Sequence, residues 1–155
     1  MPFTFAHPAI VLPIGLIKRR KWISFTALVT GSMSPDFEYF FRMKLYGEFG
    51  HSIAGIFLLD LPVAIIIALV FHQVIKEALI LHLPNFLSAR LLAFESENWW
   101  IYFKNNFLAV AISAIIGAAS HIFWDGFTHA DGYFVKLFPA LLYMEIHKIP
   151  LYKIL

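Results

Sequence analysis

Three residues with metal-binding side chains recur at intervals of four near the end of an apolar segment. They form the pattern His121-x-x-x-Asp125-x-x-x-His129. In an α-helix each step of four residues advances by about 400°, so the three side chains fall within about 80° of one another on one face. Imidazole and carboxylate groups so placed can ligate one divalent cation, zinc foremost. The pattern predicts a metal site on this helix, provided that Gly126 does not end the helix and turn His129 away.

Further ionisable side chains stand in or beside apolar segments, where they are costly and become functional candidates. Asp36 and Glu38 could each act as a general base, although Asp36 could equally be a helix N-cap after Ser34-Pro35. Asp60 could instead mark a kink beside a proline, and His72 is expected to be a hydrogen-bonded structural residue. In chain order the candidates are His7, Asp36, Glu38, His51, Asp60 and His72.

Four apolar segments must position these side chains. The two longer ones reach ~27–33 Å as helices, which is enough to cross a membrane, whereas the first two are too short for a comfortable span. Their apolar runs are continuous rather than alternating, which argues against β-strands. The segments are Pro8–Ile17, Trp22–Met33, Ile53–Val74 and Phe107–Trp124.

Composition indicates a lipid environment. Hydrophobic residues make up 60% of the 155 residues and charged residues 14%, against about 45–50% and about 25% in soluble domains. We therefore predict an all-α integral membrane helical bundle, one domain over 1–155, with two clear spans, a short N-terminal helical hairpin and interfacial helices between Lys76 and Asn106. The absence of cysteine excludes thiolate chemistry, and the net charge of +2 does not favour nucleic acid as a partner.

Antiparallel segments would bring the metal-binding residues to one side of the bundle. His7 precedes the first segment, Asp36 follows the second, His51 precedes the third and His121 ends the fourth. The basic run Lys18–Lys21 falls on the other side, and because it follows the first apolar segment it does not suit a signal peptide. By the positive-inside rule this run faces the cytoplasm, so we expect the His/Asp side to face the outside or the periplasm.

The polar motifs also resemble a known family. The stretches that carry the resemblance are Met1–Ala9, Gly31–Asp36, His51-Ser52, Asp60–Pro62 and Ser120–His129. Together they resemble a bacterial membrane family designated domain of unknown function 4184. More distantly the chain is similar to the membrane-bound metal-dependent hydrolases and, through them, to the zinc-dependent phospholipase C fold.

This resemblance implies a ligand set and an activity. Its metal ligands would be His7, Asp36, His51, His121 and Asp125, with His129 as an additional ligand or a supporting group. Family members usually continue into a further apolar helix, so we expect a chain truncated at its C-terminus. Some ligands of the soluble phospholipases have no counterpart here, which disfavours a three-metal cluster.

The leading functional hypothesis is a hydrolase that uses a divalent metal, with zinc as first choice, on a phosphoester or lipid-linked substrate at the membrane face. One alternative is a non-enzymatic membrane protein whose polar cluster holds a structural metal or packs helices together. Another is a small ion or proton transport unit, in which Asp60, His51 and His121 form a relay.

Overall fold

The computed structural model describes residues 4–15, 22–44, 47, 49–91, 98–146, 149–150 and 153, and these residues are predominantly helical. The α-helices are α1 (Pro8–Gly15), α2 (Phe25–Met33), α3 (Phe37–Arg42), α4 (Ile53–His82), α5 (Asn85–Leu91), α6 (Trp99–Asn105), α7 (Phe107–Thr128), α8 (Tyr133–Leu137) and α9 (Ala140–Tyr143). Single 3₁₀ turns lie at Thr4–Ala6 and Ser34–Asp36. Within the described residues, extended pairing is confined to β1 (Glu145–Ile146) and β2 (Ile149–Pro150), which run antiparallel.

The centre of the bundle consists of α2, α4 and α7, packed through small side chains. The core cluster contains Ala27 from α2, Ala64 and Ala68 from α4, and Ala114 from α7, each no more than 1% exposed. The contact between α2 and α7 is the most extensive in the described structure. Small residues let helix backbones approach closely, which is the usual way that helices associate in lipid.

Two helices are long and apolar enough to cross a membrane. They are α4, at 30 residues, and the stretch Phe107–Leu137, at 31 residues, which contains α7. In the most apolar 18-residue stretch of each, only 33% and 44%, respectively, is buried inside the bundle. Large apolar side chains such as Leu58, Ile66 and Phe123 therefore point outward. The predicted all-helical class with two candidate spans is confirmed at this level.

Both long helices extend further than the apolar runs predicted. α4 continues past Val74 to His82 and includes two π-helical turns, Ile56–Asp60 and Phe71–Ile75. α7 continues past Trp124 to Thr128, so Gly126 does not end the helix. The shorter N-terminal helices α1 and α2 pack against each other as the expected hairpin. Its basic loop Lys18–Lys21 lies outside the described residues.

The chain directions place the polar ends of these helices together. The 3₁₀ turn Ser34–Asp36, at the end of α2, contacts both the π turn Ile56–Asp60 near the start of α4 and the helix α7. α1 also contacts α7. The end of α2, the start of α4 and the end of α7 thus meet on one side of the bundle.

Gly117→Ala is expected to destabilise the protein. A β-carbon at Gly117 would meet backbone atoms of Leu28, Gly31 and Ser32 in α2, so the two helices would have to separate. Overpacking of this kind costs about 1–3 kcal/mol, which outweighs the gain of about 1 kcal/mol in helix propensity. We expect a lower Tm for the purified protein in detergent. Gly126→Ala, in the same helix, is the matched control because its added methyl would meet only the ring of Phe134; equal Tm values for the two variants would contradict this packing.

Candidate metal centre

The end of α7 presents the three residues of the His-x-x-x-Asp-x-x-x-His pattern on one side. His121 is completely buried, and its Nε2 lies 3.3 Å from Oδ2 of Asp125 one turn later. His129 caps the helix, and its Nδ1 lies 3.5 Å from Oδ1 of Asp125. Because α7 remains helical through Gly126, the spacing of four keeps all three side chains together, as the sequence predicted.

Three other elements bring ligand-type side chains to the same point. Asp36, in the 3₁₀ turn after α2, places Oδ1 3.4 Å from Nε2 of His121. His51, in the turn before α4, places Nε2 3.3 Å from Oδ2 of Asp125 and 3.9 Å from Oδ1 of Asp36. His7, just before α1, places Nε2 3.7 Å from Oδ1 of Asp125. The six predicted metal ligands therefore converge at one end of the bundle.

These separations suit a shared cation. Ligand atoms about 2.0–2.2 Å from a zinc ion lie roughly 3–4 Å from one another. Two overlapping groups have ligand atoms that are all within 4.8 Å of each other. One contains His7, His121 and Asp125, and the other contains Asp36, His51 and His121. The donor set of imidazoles and carboxylates fits zinc or a similar divalent ion.

His121 is oriented by the backbone of α2. Its Nδ1 lies 2.8 Å from the carbonyl oxygen of Ser32, so Nδ1 carries the proton and donates to that oxygen. Nε2 is then the ring nitrogen directed at Asp36 and Asp125, and it can bind a cation once it has no proton. A histidine that donates one ring N–H to a carbonyl while the other nitrogen faces the metal is a common feature of metal sites.

Several buried ligand atoms in the cluster have no hydrogen-bond partner among the described residues. Buried polar groups are normally paired, so each exception calls for an explanation. A bound cation would supply the missing partner for those that face the cluster, which are Nε2 of His51, Nε2 of His121, Oδ1 of Asp125 and Nδ1 of His129.

The protonation of the N-terminal ligands also suits a metal. Burial, followed by the neighbouring ring of His121, lowers the pKa of His7 to about 4, so its imidazole is neutral at pH 7. Burial alone would raise the pKa of Asp36, but the adjacent His121 ring and the Thr4 hydroxyl outweigh it and hold this pKa below its usual value. A neutral imidazole and an ionised carboxylate are the forms that bind a metal.

Glu38 lies beside the centre but is engaged elsewhere. Its Oε2 accepts a hydrogen bond of 2.7 Å from the backbone N–H of Gly50, and its Oε1 pairs with Nε of Arg42 at 2.8 Å. A β-carbon at Gly47 or Gly50 would crowd the same carboxylate. Glu38 therefore supports the turn that carries His51, and the general-base role considered from the sequence stays a prediction.

Two supporting residues were not among the sequence candidates. Thr4 donates its hydroxyl to Oδ2 of Asp36, which leaves Oδ1 facing the histidines. Tyr39 places its ring 5.6 Å from that of His51. Burial, with the charges of Asp36 and Asp125 next, raises the pKa of Tyr39 to about 12, so it stays a neutral phenol. Its position three residues after Asp36 on a helix was the available signal for Tyr39.

The other two candidates differ in their relation to the centre. Asp60 is fully buried in the π turn of α4, and its Oδ1 lies 3.4 Å from the position a β-carbon would take at Gly50. His72 lies elsewhere in α4: its Nε2 is 3.0 Å from the Thr26 hydroxyl and its ring stacks on Trp99. The predicted structural role of His72 agrees with these contacts.

The fold and the site together define an all-helical protein with a buried histidine–aspartate centre at one end of a bundle that contains two candidate membrane spans. The model of the family described as Domain of unknown function (DUF4184) matches residues 1–155. The chain belongs to this family. No curated protein matches the sequence, and no solved structure matches the fold.

Proposed function

We propose that this chain is a membrane-bound, metal-dependent hydrolase that acts on a phosphoester or lipid-linked substrate at the membrane face. The observation that carries the proposal is the convergence of Asp36, His51, His121 and Asp125 with their ligand atoms 3.3–3.9 Å apart. Three separate elements contribute to this cluster, through residues whose burial in an apolar bundle would otherwise be costly.

The membrane setting is supported by the outward-facing apolar surface of α4 and α7. Because the centre lies near the start of α4 and the end of α7, it would sit close to one face of the bilayer. A site at that level favours an amphiphilic substrate whose polar group reaches the metal. We propose a bacterial cell membrane as the setting, which the family resemblance supports, with the centre on the outer or periplasmic side, which the charge distribution favours.

The centre is partly open to solvent on one side, so a substrate can reach it. His121 and His7 form the buried floor, whereas the side chain of His51 is 19% exposed and that of His129 is 35% exposed. A divalent ion held there would polarise the scissile group and acidify a water at neutral pH. Oδ1 of Asp36 is the oxygen that faces this ion and its water, because Thr4 occupies Oδ2; it would act as a ligand or as the acceptor of the water's proton. Glu38 would keep His51 in position.

Asp125→Asn is the direct test of this proposal. The substitution keeps the side-chain shape but removes the charge that lies beside all four histidines, so bound metal should fall by at least about 10-fold while helix content is retained. Elemental analysis of the purified protein and circular dichroism measure the two quantities. Turnover of bis(para-nitrophenyl) phosphate, a generic phosphodiester, should fall in parallel.

His72→Ala is the control, since His72 contacts Thr26 and Trp99 rather than the centre. It should leave metal content unchanged. Metal content that Asp125→Asn does not alter would remove Asp125 from the ligand set. Stoichiometric metal without turnover of any phosphoester would favour the non-enzymatic alternative with a structural metal.

A transport unit is the second candidate function, and Asp60 is the observation that favours it. Asp60 is completely buried within a candidate span, and neither carboxylate oxygen has a hydrogen-bond partner among the described residues. Ionisable residues in such positions often serve ion or proton pathways. Metal or proton flux into vesicles that contain the purified protein, without hydrolysis, would favour this function.

A further inference from the structure

The centre contains more ligands than one catalytic ion uses. Four histidines and two aspartates converge there. A catalytic zinc ion usually takes three protein ligands and keeps a position open for water or substrate. Six protein groups around one ion would fill even an octahedral shell and leave no such position. The number of ligands therefore suits two ions.

The two oxygens of Asp125 face different sets of ligands. Oδ2 lies 3.3 Å from Nε2 of His51 and 3.3 Å from Nε2 of His121. Oδ1 lies 3.7 Å from Nε2 of His7 and 3.5 Å from Nδ1 of His129. A carboxylate placed in this way can give one oxygen to each of two ions.

The stacking of His7 on His121 points to the same division. Their ring centroids are 3.7 Å apart and their planes differ by only 21°. A metal bound through the lone pair of a ring nitrogen lies in the plane of that ring, so two stacked rings direct their lone pairs into separate layers. The spacing of the layers matches the ~3.5–4 Å between ions in two-metal hydrolytic sites.

Burial adds a further observation. The side chain of His7 is 1% exposed and that of His121 is 0% exposed. Nε2 of His121, which faces the cluster, has no hydrogen-bond partner among the described residues. Both rings are thus buried, and ligation would supply the missing partner of Nε2 of His121.

We propose that the centre binds two divalent ions bridged by the carboxylate of Asp125. Asp36, His51 and His121 hold the first ion, and His7 and His129 hold the second. This inference rests on the proposed metal site and deepens it by naming the substrate class. A pair of ions at this spacing can stabilise both the attacking and the leaving oxygen of a phosphate ester in an in-line displacement.

The test is the metal stoichiometry of the purified full chain loaded with Mn²⁺. Two ions per chain are expected in the wild type and one in His129→Ala, because His129 is a partly exposed residue at a helix end and its loss should spare the fold and the first site. His51→Ala should remove the first ion instead. Electron paramagnetic resonance of the wild type should show the spectrum of a spin-coupled pair, and His129→Ala should show that of an isolated ion.

The outcomes separate this inference from the proposed function. One ion per chain that His129→Ala leaves in place would overturn the two-ion centre while the single metal site stands. Two ions without spin coupling would overturn the Asp125 bridge. No bound ion at all, in a protein that circular dichroism shows to be helical, would overturn both.

Discussion

Replacing His121 with alanine is expected to abolish metal binding and to weaken the fold at the same time. The imidazole is completely buried, donates to the carbonyl oxygen of Ser32, and lies between Asp36 and Asp125. Its removal takes away a proposed metal ligand, so metal affinity should fall by at least about 100-fold. It also leaves a cavity, an unpaired carbonyl and two carboxylates without their neighbour, for a loss of roughly 2–4 kcal/mol in the free energy of unfolding.

His121→Asn separates the two effects. The asparagine amide can donate to the Ser32 carbonyl in place of Nδ1–H but cannot reach the position of Nε2. We expect it to lose metal as fully as His121→Ala and to unfold at a higher temperature than that variant when both are metal-free. Isothermal titration with Zn²⁺ and thermal unfolding in detergent measure the two quantities. Retention of wild-type zinc affinity in His121→Asn would exclude His121 as a ligand.

The convergence of the six ligands was predictable because it depends on chain direction. The metal-binding residues stand at particular ends of the apolar segments, and short connections force neighbouring segments to run antiparallel. His7, Asp36, His51 and His121 then fall on one side without any knowledge of packing. The face shared by Asp125 and His129 follows in the same way from helical periodicity.

The supporting contacts were not predictable, because backbone atoms make several of them. The carbonyl oxygen of Ser32 orients His121, and the N–H of Gly50 holds Glu38. Because these are backbone groups, the identities of the side chains do not show that they make such contacts. Glu38 was therefore considered only as a base, and its contacts with Gly50 and Arg42 were not foreseen. The close approach of α2 and α7 likewise depends on which of the glycines face each other, and periodicity alone did not single out the contacts of Gly117.

The length of α4 was underestimated for a different reason. Beyond Val74 the residues Lys76 and Glu77 reduce hydropathy, and a search for continuous apolar runs stops there. The helix nevertheless continues to His82 through a π turn at Phe71–Ile75. Helical propagation needs only hydrogen-bonding continuity, which polar residues at the end of a span do not interrupt.

The second prediction with a large expected effect concerns the side of the membrane that the centre faces. Labelling from one side of the membrane either occurs or does not, so the result is all or none. The basic run Lys18–Lys21 lies outside the described residues, so the prediction depends on its charge and on the helices on either side of it. Those helices, α1 and α2, are 8 and 9 residues long. Each would reach only about 12–14 Å, less than half of a hydrocarbon core. The side of the membrane on which the centre lies therefore depends on the directions of the two long helices, α4 and α7, more than on the hairpin.

Single cysteines in the otherwise cysteine-free chain can decide the orientation. Lys44 is exposed just after α3, between Asp36 and His51, and so reports the side of the metal centre. Asn105 is exposed at the end of α6, immediately before the start of α7, and reports the opposite side. With a membrane-impermeant maleimide on intact cells, Lys44→Cys should be labelled and Asn105→Cys should not. After permeabilisation both should react, which controls for folding and for thiol accessibility.

Labelling of Asn105→Cys alone would place the centre in the cytoplasm. The Lys18–Lys21 run would then face the outside, against the positive-inside rule. Labelling of both variants in intact cells would mean that α7 does not cross the bilayer.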